Sequence, residues 1–123
     1  MEATQSGRIE ARIVSKPWGH ELIWAHTDRY VGKLLHVRAG HALSLQYHER
    51  KDETMHVLRG ELRFSVGADA NSLTEFVLKE GESYRLLPGT IHRVEAITDV
   101  DILEASTPDL DDVVRLQDRY GRT

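Results

Sequence analysis

Between residues 11 and 106 the chain breaks into short segments, each rich in β-branched or large apolar residues and each bounded by Gly, Pro, Asp or Asn. Apolar runs of that length, cut by turn-forming residues, are the signature of an all-β domain. Strands are expected at Ala11 to Ser15, His20 to Trp24, Tyr30 to Arg38, Ala42 to Tyr47, Glu53 to Arg59, Glu61 to Val66, Leu73 to Lys79, Ser83 to Leu87, Ile91 to Ile97 and Asp101 to Ser106. So many short strands in one small domain predict a sandwich or barrel. Arg59-Gly60 and Lys79 to Glu82 supply tight turns, and Gly67 to Ser72 a longer hairpin loop. Pro88-Gly89 breaks the chain just before His92, as suits a barrel rim, because Pro cannot donate to a ladder.

The ends depart from this pattern. Residues 1–10 are polar and small without periodicity, so a flexible N-terminal arm is expected there, with a single barrel domain over 11–123. From Thr107-Pro108 an acidic start is followed by Val113, Val114, Leu116, Gln117 and Tyr120, which would line one side of a helix. A short C-terminal helix lidding one end of the core is therefore expected, with a role in dimerisation as the competing reading. The 123 residues suit one domain with one hydrophobic core. The 16 Lys+Arg are scattered among 20 Asp+Glu for a net charge of -4, so no basic stripe exists and nucleic acid is not an expected partner. With no cysteine, thiolate metal sites and a Cys nucleophile are excluded. Neither an apolar signal-peptide core nor a membrane-length apolar run is present, and a cytoplasmic location without membrane partners is expected.

Four side chains stand out as metal ligands. Gln46 and His48 are two apart, so in a strand both face the same way, together with Ser44. Glu53 follows across the polar run Glu49 to Asp52, and a returning strand brings it to the same side with Met55 and Val57. His92 is the fourth, facing inward with Val94 while Arg93 and Glu95 point away. Taken singly, each has a commoner explanation: a solvent-facing Gln-x-His pair, a surface carboxylate, a core histidine bonded to backbone. Only the combined spacing lifts Gln46, His48, Glu53 and His92 above these. His20, His26, His36, His41 and His56 have no comparable constellation.

That spacing has a known counterpart. Gly40, five residues, Gln46-Tyr47-His48, four residues, Glu53, six residues, Gly60 resembles the first motif of the cupins, with Gln46 where many cupins have a histidine. Gly81, five residues, then Leu87-Pro88-Gly89-Thr90-Ile91-His92 resembles the second, with Leu87 in place of its usual proline. Lys16-Pro17-Trp18-Gly19, Leu43 to Gln46, Gly81-Glu82-Ser83, His92-Arg93 and the run Leu110 to Arg122 look like the cupin domain of type II mannose-6-phosphate isomerases. The resemblance implies a small double-stranded β-helix, or jelly-roll barrel, with a metal at its mouth. After Gln-x-His those isomerases usually continue with more histidines, a basic residue and Glu-His-Trp, whereas this chain has Glu49, Arg50, Lys51, Asp52, Glu53, Thr54 and Met55. Bifunctional members carry a mannose-1-phosphate guanylyltransferase domain before the cupin. The 123 residues hold no nucleotide-binding domain, so that activity is not expected of them.

Two imidazoles, a carboxylate and an amide oxygen make a mixed N/O site suited to a divalent ion: Zn, Mn, Fe, Ni or Co. In an aldose-ketose isomerisation that ion polarises the C1 and C2 oxygens of an open-chain sugar phosphate while a base moves the proton. His20, Tyr84 and Glu104 are candidate bases, and Lys16, Arg50, Lys51 and Arg85 candidate phosphate cations. Three function classes stay open: a sugar-phosphate isomerase of the mannose-6-phosphate type, a cupin that holds a carbohydrate or small metabolite without turnover, and a metal-dependent dioxygenase. Edge strands and the N-terminal arm further predict a homodimer.

Overall fold

The computed structural model describes residues 5–122. Residues 1–4 of the expected arm lie outside the described residues, while 5–10 run exposed and without regular structure into the first strand. Eleven strands follow: β1 (Arg12–Lys16), β2 (Gly19–His26), β3 (Val31–Val37), β4 (Leu45–Tyr47), β5 (Glu53–Arg59), β6 (Glu61–Gly67), β7 (Thr74–Lys79), β8 (Ser83–Leu86), β9 (Ile91–Ala96), β10 (Val100–Ser106) and β11 (Val114–Gln117). All ten expected strands are among them, with boundaries shifted by at most a few residues.

They form two antiparallel sheets. One has six strands in the order β1-β2-β3-β10-β5-β8, the other five in the order β11-β4-β9-β6-β7. The chain passes repeatedly from one sheet to the other, so neighbouring strands are seldom consecutive in sequence. Alternation sends Val31, Leu35 and Val37 of β3, Leu62 and Phe64 of β6, and Val100 and Ile102 of β10 into the space between the sheets, where all are buried. Each such side chain contributes about 1.5–3 kcal/mol by leaving water. Phe64 is the hub of an aromatic cluster, its ring centroid 5.8 Å from Phe76, 5.1 Å from Tyr84 and 6.4 Å from His92. The core therefore extends directly under one of the expected ligands.

The turn at Gly60, which carries the chain from the six-stranded to the five-stranded sheet, needs its glycine. Its φ is 88°, and a Cβ there would sit 2.2 Å from the Asp99 carbonyl oxygen. Gly60→Ala combines a left-handed backbone with a backbone clash and is expected to cost about 2–4 kcal/mol, measured by urea unfolding. A loss under about 0.5 kcal/mol would show that the turn relaxes freely.

The expected C-terminal helix does not form, and no helix occurs among the described residues. Residues 107–113 make tight turns instead, with Leu110 N–H donating to the Pro108 carbonyl and Asp112 N–H to that of Asp109. Val114–Gln117 then pairs as β11 along the free edge of β4, in a register placing Arg115 opposite Gln46 with a bulge before Gln117. Two causes compete against the helix. Val113-Val114 is β-branched and favours extended backbone, and the open edge of β4 offers ladder hydrogen bonds that only a strand can satisfy.

Candidate metal centre

His48 follows directly on β4, Glu53 opens β5 and His92 is the second residue of β9, so two sheets contribute to one point between them. His92 is set by the turn before it. Pro88 and Gly89 are the central residues of a turn closed by Thr90 N–H to the Leu87 carbonyl, 3.2 Å. Gly89 takes a φ of 85°, the positive value that the third position of a type II turn demands. Gly89 N–H also donates to the His48 carbonyl at 2.8 Å, which ties the two histidine segments together.

Both imidazoles are oriented by carbonyls. His48 Nδ1 donates to the Asp112 carbonyl at 2.5 Å and His92 Nδ1 to that of Thr90 at 3.0 Å. Each bond fixes the tautomer with its proton on Nδ1, leaving a lone pair on Nε2. Those Nε2 atoms face Glu53, at 3.3 Å from His48 to Oε2 and 3.7 Å from His92 to Oε1. One ligand atom from each of the three residues lies within 4.8 Å of the others. His48 Nε2, His92 Nε2 and both Glu53 carboxylate oxygens are buried and have no hydrogen-bond partner. Leaving a buried polar atom unsatisfied costs about 1–3 kcal/mol; the Lys51 ammonium offsets this at Glu53 Oε2, and a cation among the three residues would offset it at the other atoms. Ligand atoms about 2.1 Å from one ion lie about 3.0–3.4 Å apart in octahedral or tetrahedral geometry, close to the spacings found. The residues fit a divalent metal.

Gln46 pairs with His92 across the β4–β9 ladder and lines the same cavity. Its Oε1 accepts from Ser44 Oγ at 2.5 Å. His48, Glu53 and His92 thus form the tight cluster, and Gln46 stands at its edge.

Beside the cluster runs a chain of buried charges. Lys51 Nζ lies 2.8 Å from Glu53 Oε2 and 3.2 Å from Glu104 Oε2, and Lys33 Nζ lies 3.7 Å from the same Glu104 oxygen and 3.4 Å from Glu21 Oε2. Glu53 Oε2 and Glu104 Oε2 make these approaches without hydrogen-bond alignment. Burial alone would raise the Glu53 pKa, but His48, Lys51 and His92 outweigh it and hold the carboxyl below its ordinary range. Burial raises that of Glu104, reinforced by the charge on Glu53. Burial opposes the charged form of Lys51, yet Glu104 and Glu53 together lift its pKa. Burial lowers that of His92, keeping the imidazole neutral and able to ligate.

A cavity of about 230 Å³ opens onto these groups, lined by Gln46, His48, Lys51, Glu53, Glu104, Glu21 and Lys33, and by the cations Arg12, Lys16, Arg115 and Arg122. Of the other candidates named from sequence, Lys16 and Glu104 line it, whereas Arg85 pairs with Asp52 at 2.7 Å and Arg50 approaches Asp109 at 3.5 Å. His20 stacks on His36 at 5.3 Å, and Tyr84 packs among phenylalanines. Sequence reasoning missed Lys33 altogether and named Lys51 as a candidate phosphate cation, whereas it lines the cavity buried between Glu53 and Glu104. A signal existed for Lys33, which shares the inward parity of Val31, Leu35 and Val37.

Comparison with known proteins shows the family and the fold. Residues 4–118 match the family model "Mannose-6-phosphate isomerase C-terminal". The chain is 32% identical over 124 residues to an Escherichia coli K12 protein named mannose-1-phosphate guanylyltransferase, covering 94% of this chain and 25% of that protein. It is 31% identical over 126 residues to the xanthan biosynthesis protein XanB of Xanthomonas campestris, covering 96% and 26%. The chain thus spans about a quarter of the length of these curated relatives. Among solved structures, oxalate decarboxylase of Bacillus subtilis superposes with a TM-score of 0.74 at 13% identity, over 93% of this chain and 32% of that one. KdgF from Halomonas sp. superposes at 0.69 and 19% identity, over 84% and 91%. With its two facing antiparallel sheets and a family match running nearly end to end, the chain is a cupin that belongs to the mannose-6-phosphate isomerase C-terminal family.

Proposed function

We propose that the chain is a metal-dependent sugar-phosphate isomerase of the mannose-6-phosphate type, with Gln46, His48, Glu53 and His92 holding a divalent ion. The observation that carries this reading is the convergence of His48 Nε2, His92 Nε2 and the Glu53 carboxylate on one buried point, beside a cavity whose walls mix charged with apolar side chains. A divalent ion there supplies Lewis-acid polarisation of the sugar C1 and C2 oxygens. Arg12, Lys16 and Arg115 are the cations assigned to the substrate phosphate, Arg122 being held by both oxygens of Asp118 at 3.0 Å. Glu104 is assigned to proton transfer as a carboxylate base, because it lines the cavity and burial, with the neighbouring Glu53 charge, raises its pKa above the ordinary carboxyl value. The family match supports a carbohydrate substrate, and the guanylyltransferase activity named for longer relatives is not part of the proposal.

A second reading, ligand binding without turnover, is favoured by one feature. Lys51, held between Glu53 and Glu104, keeps its proton and ties up both carboxylates. Chelator-stripped protein reloaded with Mn, Fe, Co, Ni or Zn separates the two when assayed for interconversion of mannose 6-phosphate and fructose 6-phosphate. Metal-dependent turnover is the expected result. Saturable calorimetric binding of the sugar phosphate without turnover would establish the second reading. Metal-loaded protein that neither binds nor converts these substrates would overturn both.

A further inference from the structure

We propose that Asp112 is a positioning residue for the metal centre: from the turn ahead of β11 it holds four consecutive residues, 48–51, and so sets the His48 ring. Its backbone carbonyl accepts from His48 Nδ1 at 2.5 Å. Its carboxylate accepts the backbone N–H groups of Glu49 at 3.0 Å, Arg50 at 2.6 Å and Lys51 at 2.9 Å. Asp112 is buried, as are His48 and Lys51.

The held segment is the link between the ligands His48 and Glu53, and a bend with no ladder hydrogen bonds of its own. Three adjacent amides converge on one acidic side chain, and charge-assisted bonds of this kind are about twice as strong as neutral ones. Next to it, Asp52 N–H donates to Thr107 Oγ1 at 3.2 Å and Thr107 N–H to the Asp52 carbonyl at 3.1 Å, so residues 48–52 are zipped to 107–112. Asp112 thereby fixes two things together. It selects the His48 tautomer whose Nε2 lone pair faces Glu53, and it places the backbone from which Lys51 reaches the Glu53 carboxylate at 2.8 Å.

The two ligating histidines differ here in a way that gives an internal control. His92 is oriented by Thr90, two residues away, whereas His48 is oriented by a residue 64 positions away. Loss of the Asp112 carboxylate frees the first turn of the 48–51 segment and moves the distant carbonyl, leaving the local bond at His92 in place. A general loosening of the fold would disturb both rings alike.

The inference rests on the metal reading, and its test separates the two. Nitrogen-detected NMR of the imidazoles in metal-free protein, and titration with Co2+ alone, are compared for the natural chain, Asp112→Ala and Asp112→Asn. In the natural chain both rings are expected as single Nδ1–H tautomers. In Asp112→Ala, His48 is expected to show mixed tautomers while His92 keeps its own, and Co2+ affinity to fall by about 10–100-fold, the range for loss of a group that orients a ligand. Asp112→Asn, which keeps one carbonyl oxygen for the amides, is expected to recover part of both and decides the matter if the alanine variant does not fold. An unchanged His48 tautomer with unchanged Co2+ affinity, or equal disturbance of His48 and His92, would overturn the proposal. If the natural chain takes up no Co2+, the metal reading fails, and the tautomer comparison still decides the role of Asp112.

Discussion

Lys51→Met is expected to destabilise the metal-free protein by about 3–5 kcal/mol, the cost typical of removing one partner from a buried ion pair. The ammonium stands between two carboxylates, 2.8 Å from Glu53 and 3.2 Å from Glu104, and both are buried. Without it, Glu53 and Glu104 lose the cation between them, leaving Glu53 to His48 at 3.3 Å and His92 at 3.7 Å, and Glu104 to Lys33 at 3.7 Å. Against a total stability of about 5–15 kcal/mol for a domain of this kind, that loss is large. Urea unfolding in the presence of chelator measures it. Adding Glu104→Gln to Lys51→Met removes the second charge and is expected to restore part of the stability, the coupling that a double-mutant cycle reads. If Lys51→Met costs less than about 1 kcal/mol, the group is solvated and the buried chain of charges is not a unit.

His48→Ala and His92→Ala are each expected to abolish metal retention, with affinity falling by more than the roughly 10–100-fold that follows loss of an outer hydrogen-bond partner. Each removes an Nε2 atom that is buried, unpartnered and aimed at Glu53. Metal content after gel filtration, followed by competition with a chromophoric chelator, gives the answer. Gln46→Ala is expected to do less harm, since Gln46 stands at the edge of the cluster and already accepts a bond from Ser44. Should either histidine variant keep full occupancy, the ligand set is wrong. Both variants are expected to stay folded, because removing an imidazole also removes one of the unsatisfied atoms that the apo site must carry.

The strands were legible because period-two alternation survives wherever one face is buried, as in Val31 to Val37 or Leu62 to Val66. Glu53 and His92 were legible for the same reason, helped by Pro88-Gly89, whose turn chemistry is local. The last segment was misread as a helix because an acidic, Pro-marked start followed by apolar residues satisfies the rules for a helix N-terminus. Asp112 in fact serves amides 61 to 63 positions earlier, a partnership that no local pattern displays. Glu104 sits at inward parity between Ile102 and Ser106, so its burial was readable in principle. Lys51 lies outside any strand, and its burial follows only from where the bend at residues 49–50 turns its side chain.

The link between His48 and Asp112 also has a consequence for the order of biosynthesis. Translation delivers His48, Glu53 and His92 before Asp112, so a nascent chain stalled just past β9 would own all three clustered side chains while lacking the carbonyl that turns one imidazole toward the others. The proposed metal centre therefore takes its folded geometry only after residue 112 has been made and has docked on residues 48–51, and that turn acts as a timer on when the three side chains are aligned.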